Sequence, residues 1–200
     1  MRYGSHTTTS IYRGNQMIRH VSSCARNAGA VAAFALALFA FPAAAQKATF
    51  TEDFGTLNEK FSSLADAMGA DTYGWRPMEG VRSVSEVYML IAAEAYFMPS
   101  FWGADPPEGM EITNQVFGEL SQITEKDAVL EHLEKSFAYA TAEFEKLSDD
   151  AMEEVIPFFG QERSIADAIY LLLTDMHEHL GQAIAYARTN EVVPPWSAGS

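Results

Sequence analysis

Residues 164–188 read SIADAIYLLLTDMHEHLGQAIAYAR, and this stretch decides the fold because it carries the longest helical pattern in the chain. Ser164 followed by Asp167 is a helix-start pattern, in which the serine side chain accepts a backbone N–H of the first turn. Apolar residues then recur at helical spacing until Pro194 and Pro195 prevent a further turn. The stretch predicts one long amphipathic helix.

Three further helices are predicted upstream, because the same apolar spacing recurs there. Their predicted spans are 51–69 behind a threonine cap, 83–98 behind a Ser-x-x-Glu capping box, and 124–147 behind a weaker Thr-x-x-Asp pattern. A long loop, residues 99–124, separates the second helix from the third. No convincing β-strand alternation is present, so the prediction is an all-α fold, a four-helix bundle.

The first 45 residues differ in composition from the rest of the chain. Four arginines and no acid precede the apolar run of residues 28–45, which ends in an A-x-A pattern before Gln46. This plan predicts a signal peptide over 1–45, with Met17 as an alternative true start, and a bundle domain over 46–200. A retained membrane anchor is less favoured, because a span needs about 20 apolar residues. The protein is therefore expected to be exported, to a periplasmic or extracellular location.

Charge and cysteine content exclude several classes of function. The only cysteine, Cys24, lies in the predicted leader, so the mature chain would have no disulfide, no thiolate-ligated zinc and no cysteine nucleophile. Loss of the four leader arginines would move the formal charge from −14 to about −18. Such an acidic surface repels phosphates and anionic lipid, so we expect no nucleic-acid partner and no membrane association after cleavage.

The segment TDMHEHLGQ, residues 174–182, contains several groups that could bind a metal. Residues four apart share a helix face, so Asp175 and His179 can converge on one ion. His177 points about 200° away from His179, because a helix turns through about 100° per residue. Three interpretations of His177 stay open: a group that supports the ligands, a surface residue, or part of a homodimer contact.

A divalent ion usually takes three or more protein ligands, so a third must come from another helix. The remaining candidates are His132, Glu86 and Glu94. Without a third ligand, the alternative is a polar cluster in which His179 hydrogen-bonds to an acid and no ion is present.

Three segments together resemble the DinB-like superfamily of four-helix bundles: WRPMEGVRSVSEVYML (75–90), MHEHLGQAIAYAR (176–188) and NEVVPPWS (190–197). The resemblance covers essentially the whole mature chain, and HLGQ followed by VVPP is typical of an exported branch. It implies a bundle that buries a divalent metal, often zinc or nickel, on three histidines. One of these comes from the second helix and two from the fourth.

Only one of the three histidines is present at the matching positions. His179 matches the last of them, Asp175 replaces the one four residues earlier, and Leu90 occupies the second-helix position. Glu94, one turn beyond Leu90, could supply a carboxylate instead. The resemblance thus implies a degenerate Asp175, His179 and Glu94 site that holds zinc or nickel weakly or not at all.

Two classes of function follow. The first is an exported interaction or structural module that acts through its surface, its 99–124 loop or a homodimer face. The second is a metal-dependent enzyme, either a hydrolase or one of the thiol-dependent transferases that the family includes, in which the metal activates a small thiol. The sequence assigns no catalytic residue and no small-molecule ligand.

Overall fold

The computed structural model describes residues 43–113 and 115–199. The predicted leader, except for its last three residues, and the alternative start at Met17 lie outside the described residues. The described elements are α1 Ala43–Ala67, α2 Val84–Phe97, α3 Gln115–Leu120, α4 Lys126–Lys146, β1 Val155–Phe158, β2 Gln161–Ser164 and α5 Ile165–Thr189, with short 3-10 helices at Ala70–Thr72, Met98–Trp102, Ala151–Glu153 and Pro195–Ser197. None of the described helices combines the length and the apolar character that a membrane crossing requires.

The four long helices α1, α2, α4 and α5 form a bundle, which confirms the predicted fold. Helix α1 packs on α4 and α5, and α2 packs on the same two helices. Phe54 lies at the centre of an aromatic cluster, with ring centroids 5.0 Å from both Phe137 and Phe144. Full burial of one such side chain contributes about 1.5–3 kcal/mol, so this core outweighs the helices' own intrinsic preferences.

The caps predicted for the second and fourth helices are present. The Ser83 hydroxyl accepts the Glu86 amide at 3.3 Å, and the Glu86 carboxylate accepts the Ser83 amide at 2.6 Å. The pKa of Glu86 is lowered, first by that backbone hydrogen bond and then by the charge of Arg76. The Glu86 carboxylate therefore serves as part of the cap of this helix. At α5, the Ser164 hydroxyl accepts the Asp167 amide at 3.1 Å.

The starts of the other two long helices differ from prediction. The structure describes helix α1 from Ala43, so Thr51 lies inside the helix and does not cap it; the Thr51 hydroxyl donates to the Lys47 carbonyl at 3.0 Å. Helix α4 begins after Glu125, which makes no side-chain cap, so Thr124 does not cap it. Instead, Lys126 donates 3.0 Å to the Met68 carbonyl and so ties the start of α4 to the end of α1.

Lys47 ties the opposite ends of the same two helices together. Its Nζ donates to the Leu147 carbonyl and, at 3.2 Å, to the Glu145 carbonyl. The last carbonyls of a helix have no partner within it, and they carry the negative end of the helix dipole. A lysine from α1 thus stabilises the end of α4.

A β-hairpin that the sequence pattern did not predict lies between α4 and α5. Val155–Phe158 pairs antiparallel with Gln161–Ser164. The turn residues Phe159 and Gly160 both have positive φ, 45° and 79°. The strands are short, and one contains a proline while the other is polar, so neither shows the alternation that predicts a strand.

Candidate functional site

The structure brings the three predicted metal ligands together. Glu94 on α2 and Asp175 and His179 on α5 each offer one donor atom, and these atoms lie within 4.8 Å of one another. The His179 Nε2 is 3.5 Å from an Asp175 carboxylate oxygen. This is the one group of three or more such side chains among the residues that the structure describes. Helices α2 and α5 therefore contribute to one shared polar cluster.

Glu94 has an unusual environment for a carboxyl group. Burial raises its pKa to about 9, and a hydrogen bond to Asp175 and the charge of Asp175 contribute in the same direction, while Arg82 opposes them. Glu94 therefore carries a proton at neutral pH. Its Oε2 is buried and has no hydrogen-bond partner within residues 43–113 and 115–199. An unpartnered buried oxygen beside a carboxylate and an imidazole fits a divalent ion, which would have to displace the Glu94 proton.

A hydrogen-bond chain fixes the orientation of the His179 ring. The Tyr186 hydroxyl donates to the Arg82 carbonyl at 3.1 Å and accepts from the Gln182 amide nitrogen at 2.9 Å. The Gln182 carbonyl oxygen therefore accepts from His179 Nδ1–H, at 2.9 Å. In the neutral ring this leaves the Nε2 lone pair directed toward Asp175, which is the arrangement of a histidine prepared to bind a metal. Gln182 and Tyr186 lie three and seven residues after His179, at helical spacing, and the sequence predicted no role for either.

Leu90 lies one helical turn before Glu94, on the same face of α2. It is half-buried and lines a cavity of about 200 Å³ with Arg82, Glu86, Phe117 and Ser121. This is the position where the family resemblance implies a histidine. An alkyl side chain there cannot donate to an ion, so α2 contributes to the cluster only through Glu94.

A larger cavity of about 480 Å³ adjoins the cluster. Its lining residues are Glu94, Phe97, Met98, Phe117, Phe158, Phe159, Leu171, Leu172 and Asp175. The polar lining residues are the two carboxyl groups of the cluster, and the rest are apolar. Sequence reasoning missed this cavity, because its walls come from α2, α3, the hairpin and α5. The adjacent pair Phe158 and Phe159, in a segment with no helical period, was the available signal.

The remaining histidines of the bundle lie outside the cluster. His177 Nε2 is 3.0 Å from both carboxylate oxygens of Asp53, so it links α5 to α1 at the surface. His132 on α4 packs edge-on against Tyr96, and burial lowers its pKa. His177 thus matches the surface interpretation, and His132 does not supply the third ligand.

A family model described as the DinB superfamily matches residues 54–183. The chain belongs to the DinB superfamily. Two DinB-like proteins of known structure share the fold of this DinB protein. That from Bacillus cereus is 14% identical, with a TM-score of 0.62 over 73% of this chain and 93% of its own. That from Bacillus subtilis is 19% identical, with a TM-score of 0.58 over 72% and 93%.

The fold is also similar to that of a mycothiol-dependent maleylpyruvate isomerase. That enzyme is 15% identical, with a TM-score of 0.51 over 68% of this chain and 59% of its own. At these identities the likeness concerns the fold alone. No curated protein is similar enough in sequence to count as a match.

Proposed function

We propose that this DinB protein is an exported binding module whose Glu94–Asp175–His179 cluster takes up a divalent ion weakly and in competition with protons. The observation that supports it is the convergence of one donor atom from each residue within 4.8 Å, across two helices. Carboxylate and imidazole donors together suit zinc and nickel. The hydrogen bond between Gln182 and His179 leaves Nε2 available as the donor.

Two features make the proposed affinity lower than that of a three-histidine site. Leu90 removes one donor from α2, and Glu94 holds a proton that the ion must displace. Metal affinity then falls as the pH drops, by about tenfold per pH unit when one proton is displaced. The ion would be a regulator or a structural support of the module.

Isothermal titration of EDTA-treated protein with Zn²⁺ and Ni²⁺ at pH 6, 7 and 8 tests the proposal. We expect one weak site that tightens with pH and releases one proton. Asp175→Asn should weaken binding at least tenfold, and His177→Ala, a histidine on another face of α5, should leave it unchanged. Undetectable binding, or binding that survives Asp175→Asn together with Glu94→Gln, would overturn the proposal.

A metal-dependent enzyme, a hydrolase or a thiol transferase, is the second candidate, favoured by the cavity that adjoins the cluster. Glu94 and Asp175 line that cavity, so a molecule bound there would contact the same groups as the ion. A divalent ion held by the cluster would lower the pKa of a bound thiol or water. Metal-loaded protein would then show thiol-dependent or hydrolytic turnover that Asp175→Asn abolishes. Metal binding without either turnover would leave the binding module as the better description.

Export and self-association are separate parts of the proposal. Export is supported by the basic, apolar and A-x-A pattern of residues 1–45. Mass spectrometry of protein recovered outside the cytoplasm should find a mature N-terminus at Gln46, and a retained leader would contradict it. A homodimer would be recognised by light scattering as twice the mass of the mature chain.

A further inference from the structure

The cavity of about 480 Å³ has the dimensions and chemistry of a small-molecule site. Seven of its nine lining residues are apolar, and four of these are phenylalanines. They come from four separate segments of the chain, so the cavity is a product of the whole fold. Its apolar walls would bind an aromatic or aliphatic body through the hydrophobic effect.

The polar end of the cavity carries a single type of chemical group. Glu94 and Asp175 supply carboxyl groups, and no basic, amide or hydroxyl side chain is present among the described residues that line it. Arg82 acts on Glu94 from outside this lining, and its own side chain is exposed. A carboxylate ligand would meet like charge at this end, and an ammonium group would meet opposite charge.

The hairpin tip forms the outer wall of the cavity. Phe159 lines the cavity and is 70% exposed, although its ring packs 4.7 Å from Phe158 and 5.1 Å from Phe101. Its φ of 45° is in the left-handed region, which a phenylalanine rarely adopts. Leu171, also in the lining, is 37% exposed. A bound molecule would cover apolar surface that these two residues leave to water.

We propose that this cavity binds a small organic cation. The apolar or aromatic body would lie against Phe117, Phe158 and Phe159, and the ammonium group would contact the Glu94 and Asp175 carboxyls. Aromatic walls add an attraction for the positive charge itself. This inference goes beyond the proposed function, because the walls do not depend on a metal ion. A divalent ion and an ammonium group would compete for Asp175.

Three matched probes test the inference on EDTA-treated full-length protein at pH 7: 2-(1-naphthyl)ethylamine, 2-(1-naphthyl)ethanol and 1-naphthylacetate, measured by isothermal titration. We expect the amine to bind at least tenfold more tightly than the alcohol, and the acetate not to bind. Asp175→Asn should abolish the preference for the amine. Phe159→Ala should weaken the binding of the amine and of the alcohol by a similar factor, severalfold in each case.

Met78→Ala is the matched control, because Met78 is 65% exposed and lies outside the lining. It should leave all three affinities unchanged. Circular dichroism verifies that each variant is folded. Equal binding of the three probes, tighter binding of the acetate, or amine binding insensitive to both Asp175→Asn and Phe159→Ala would overturn the inference.

The two proposals fail separately. Metal titration in the absence of amine tests the ion site alone, and amine titration in EDTA tests the cavity alone. If both are correct, Zn²⁺ should reduce amine affinity in wild type, and amine should reduce Zn²⁺ affinity by the same factor. Metal binding without amine binding would refute this inference and leave the proposed function intact.

Discussion

Helix α5 carries two histidines two residues apart, and each lies near a carboxylate. His177 contacts Asp53 of α1 at 3.0 Å with a half-exposed ring, whereas His179 lies 3.5 Å from Asp175 and is only 16% exposed. We call His177–Asp53 the outer pair and His179–Asp175 the inner pair. The outer pair has the shorter contact, yet the inner pair has more partners. Position on the helix, rather than contact distance, separates a surface ion pair from a candidate site.

The inner pair differs from the outer pair in what lies around it. Glu94 adds a third donor from another helix, and Gln182 orients the imidazole from the far side. The outer pair is partly solvated, and a surface ion pair of this kind contributes about 0–1 kcal/mol. The two pairs therefore differ in the shielded His179 ring and in the buried third group Glu94, and not in their carboxylates, because Asp175 is 49% exposed and Asp53 is 36% exposed.

Placing at position 90 the histidine that the family resemblance implies should have the largest effect on the inner pair. Leu90→His places an imidazole one turn from Glu94, and we expect Zn²⁺ affinity to rise about 100-fold, or roughly 2.7 kcal/mol. The gain should persist in a Leu90→His, His177→Ala double variant, because the outer pair takes no part. Met78→His at an exposed position controls for adventitious zinc binding. Equal affinity of wild type and Leu90→His, measured by competition with a zinc chelator, would show that position 90 does not face the site.

Glu94→Gln should change the pH dependence of stability. The folded-state pKa of Glu94 is about 9, raised from 4.5, so between these pH values the folded state holds a proton that the unfolded chain releases. Stability from this group is therefore complete below about pH 4.5 and is lost as the pH rises toward about 9. Between pH 6.5 and 8 we expect wild type to lose about 2 kcal/mol more than Glu94→Gln in urea unfolding.

The outer pair supplies the control for that experiment. Asp53→Asn removes a carboxylate of the outer pair and should keep the wild-type slope against pH. Parallel stability profiles for wild type and Glu94→Gln would show that Glu94 is ionised in the folded state.

Removing the support behind His179 should have a smaller effect. Gln182→Ala frees Nδ1 and lets the ring rotate, so we expect metal affinity to fall about tenfold, as for other residues that orient metal ligands. Thr174→Ala on the outer face is the matched control, because that hydroxyl donates to a carbonyl of its own helix, on Tyr170. Similar Zn²⁺ affinities for the two variants would show that the hydrogen-bond chain does not support metal binding.

The smallest effect belongs to the outer pair itself. His177→Ala should lower the free energy of unfolding by less than about 1 kcal/mol, with metal affinity unchanged. A double-mutant cycle with Asp53→Ala would measure the coupling, which added salt should reduce. A coupling well above 1 kcal/mol would mean that this pair holds α1 to α5 more strongly than its exposure suggests.

Sequence reasoning succeeded where the deciding interactions are local. The Ser83–Glu86 box and the Ser164 cap involve residues three apart, and the shared face of Asp175 and His179 follows from helical period alone. It failed where contacts between segments far apart in the sequence determine the structure. Thr51 has the chemistry of a cap, yet helix α1 continues back through Lys47, which is held by the end of α4.

The same distinction applies to the site. The resemblance to the DinB family gave the positions of His179, Asp175 and Leu90, but the protonation of Glu94 depends on burial by the assembled bundle. Predicting the apolar cavity would have required predicting the hairpin, and the strands of the hairpin show no alternation of apolar and polar residues. Phe159 adopts its positive φ in a turn that brings two strands together, and no local preference of phenylalanine predicts it.

Lys47 has a consequence for the processed protein. The Lys47 ammonium contacts the carbonyls of Glu145 and Leu147, and in a chain cleaved before Gln46 the second residue would carry this contact. The new N-terminus would then be bound to the bundle through its second residue, so it would resist fraying and digestion by aminopeptidases. An exported and cleaved chain would therefore have an N-terminus that is already held against the bundle.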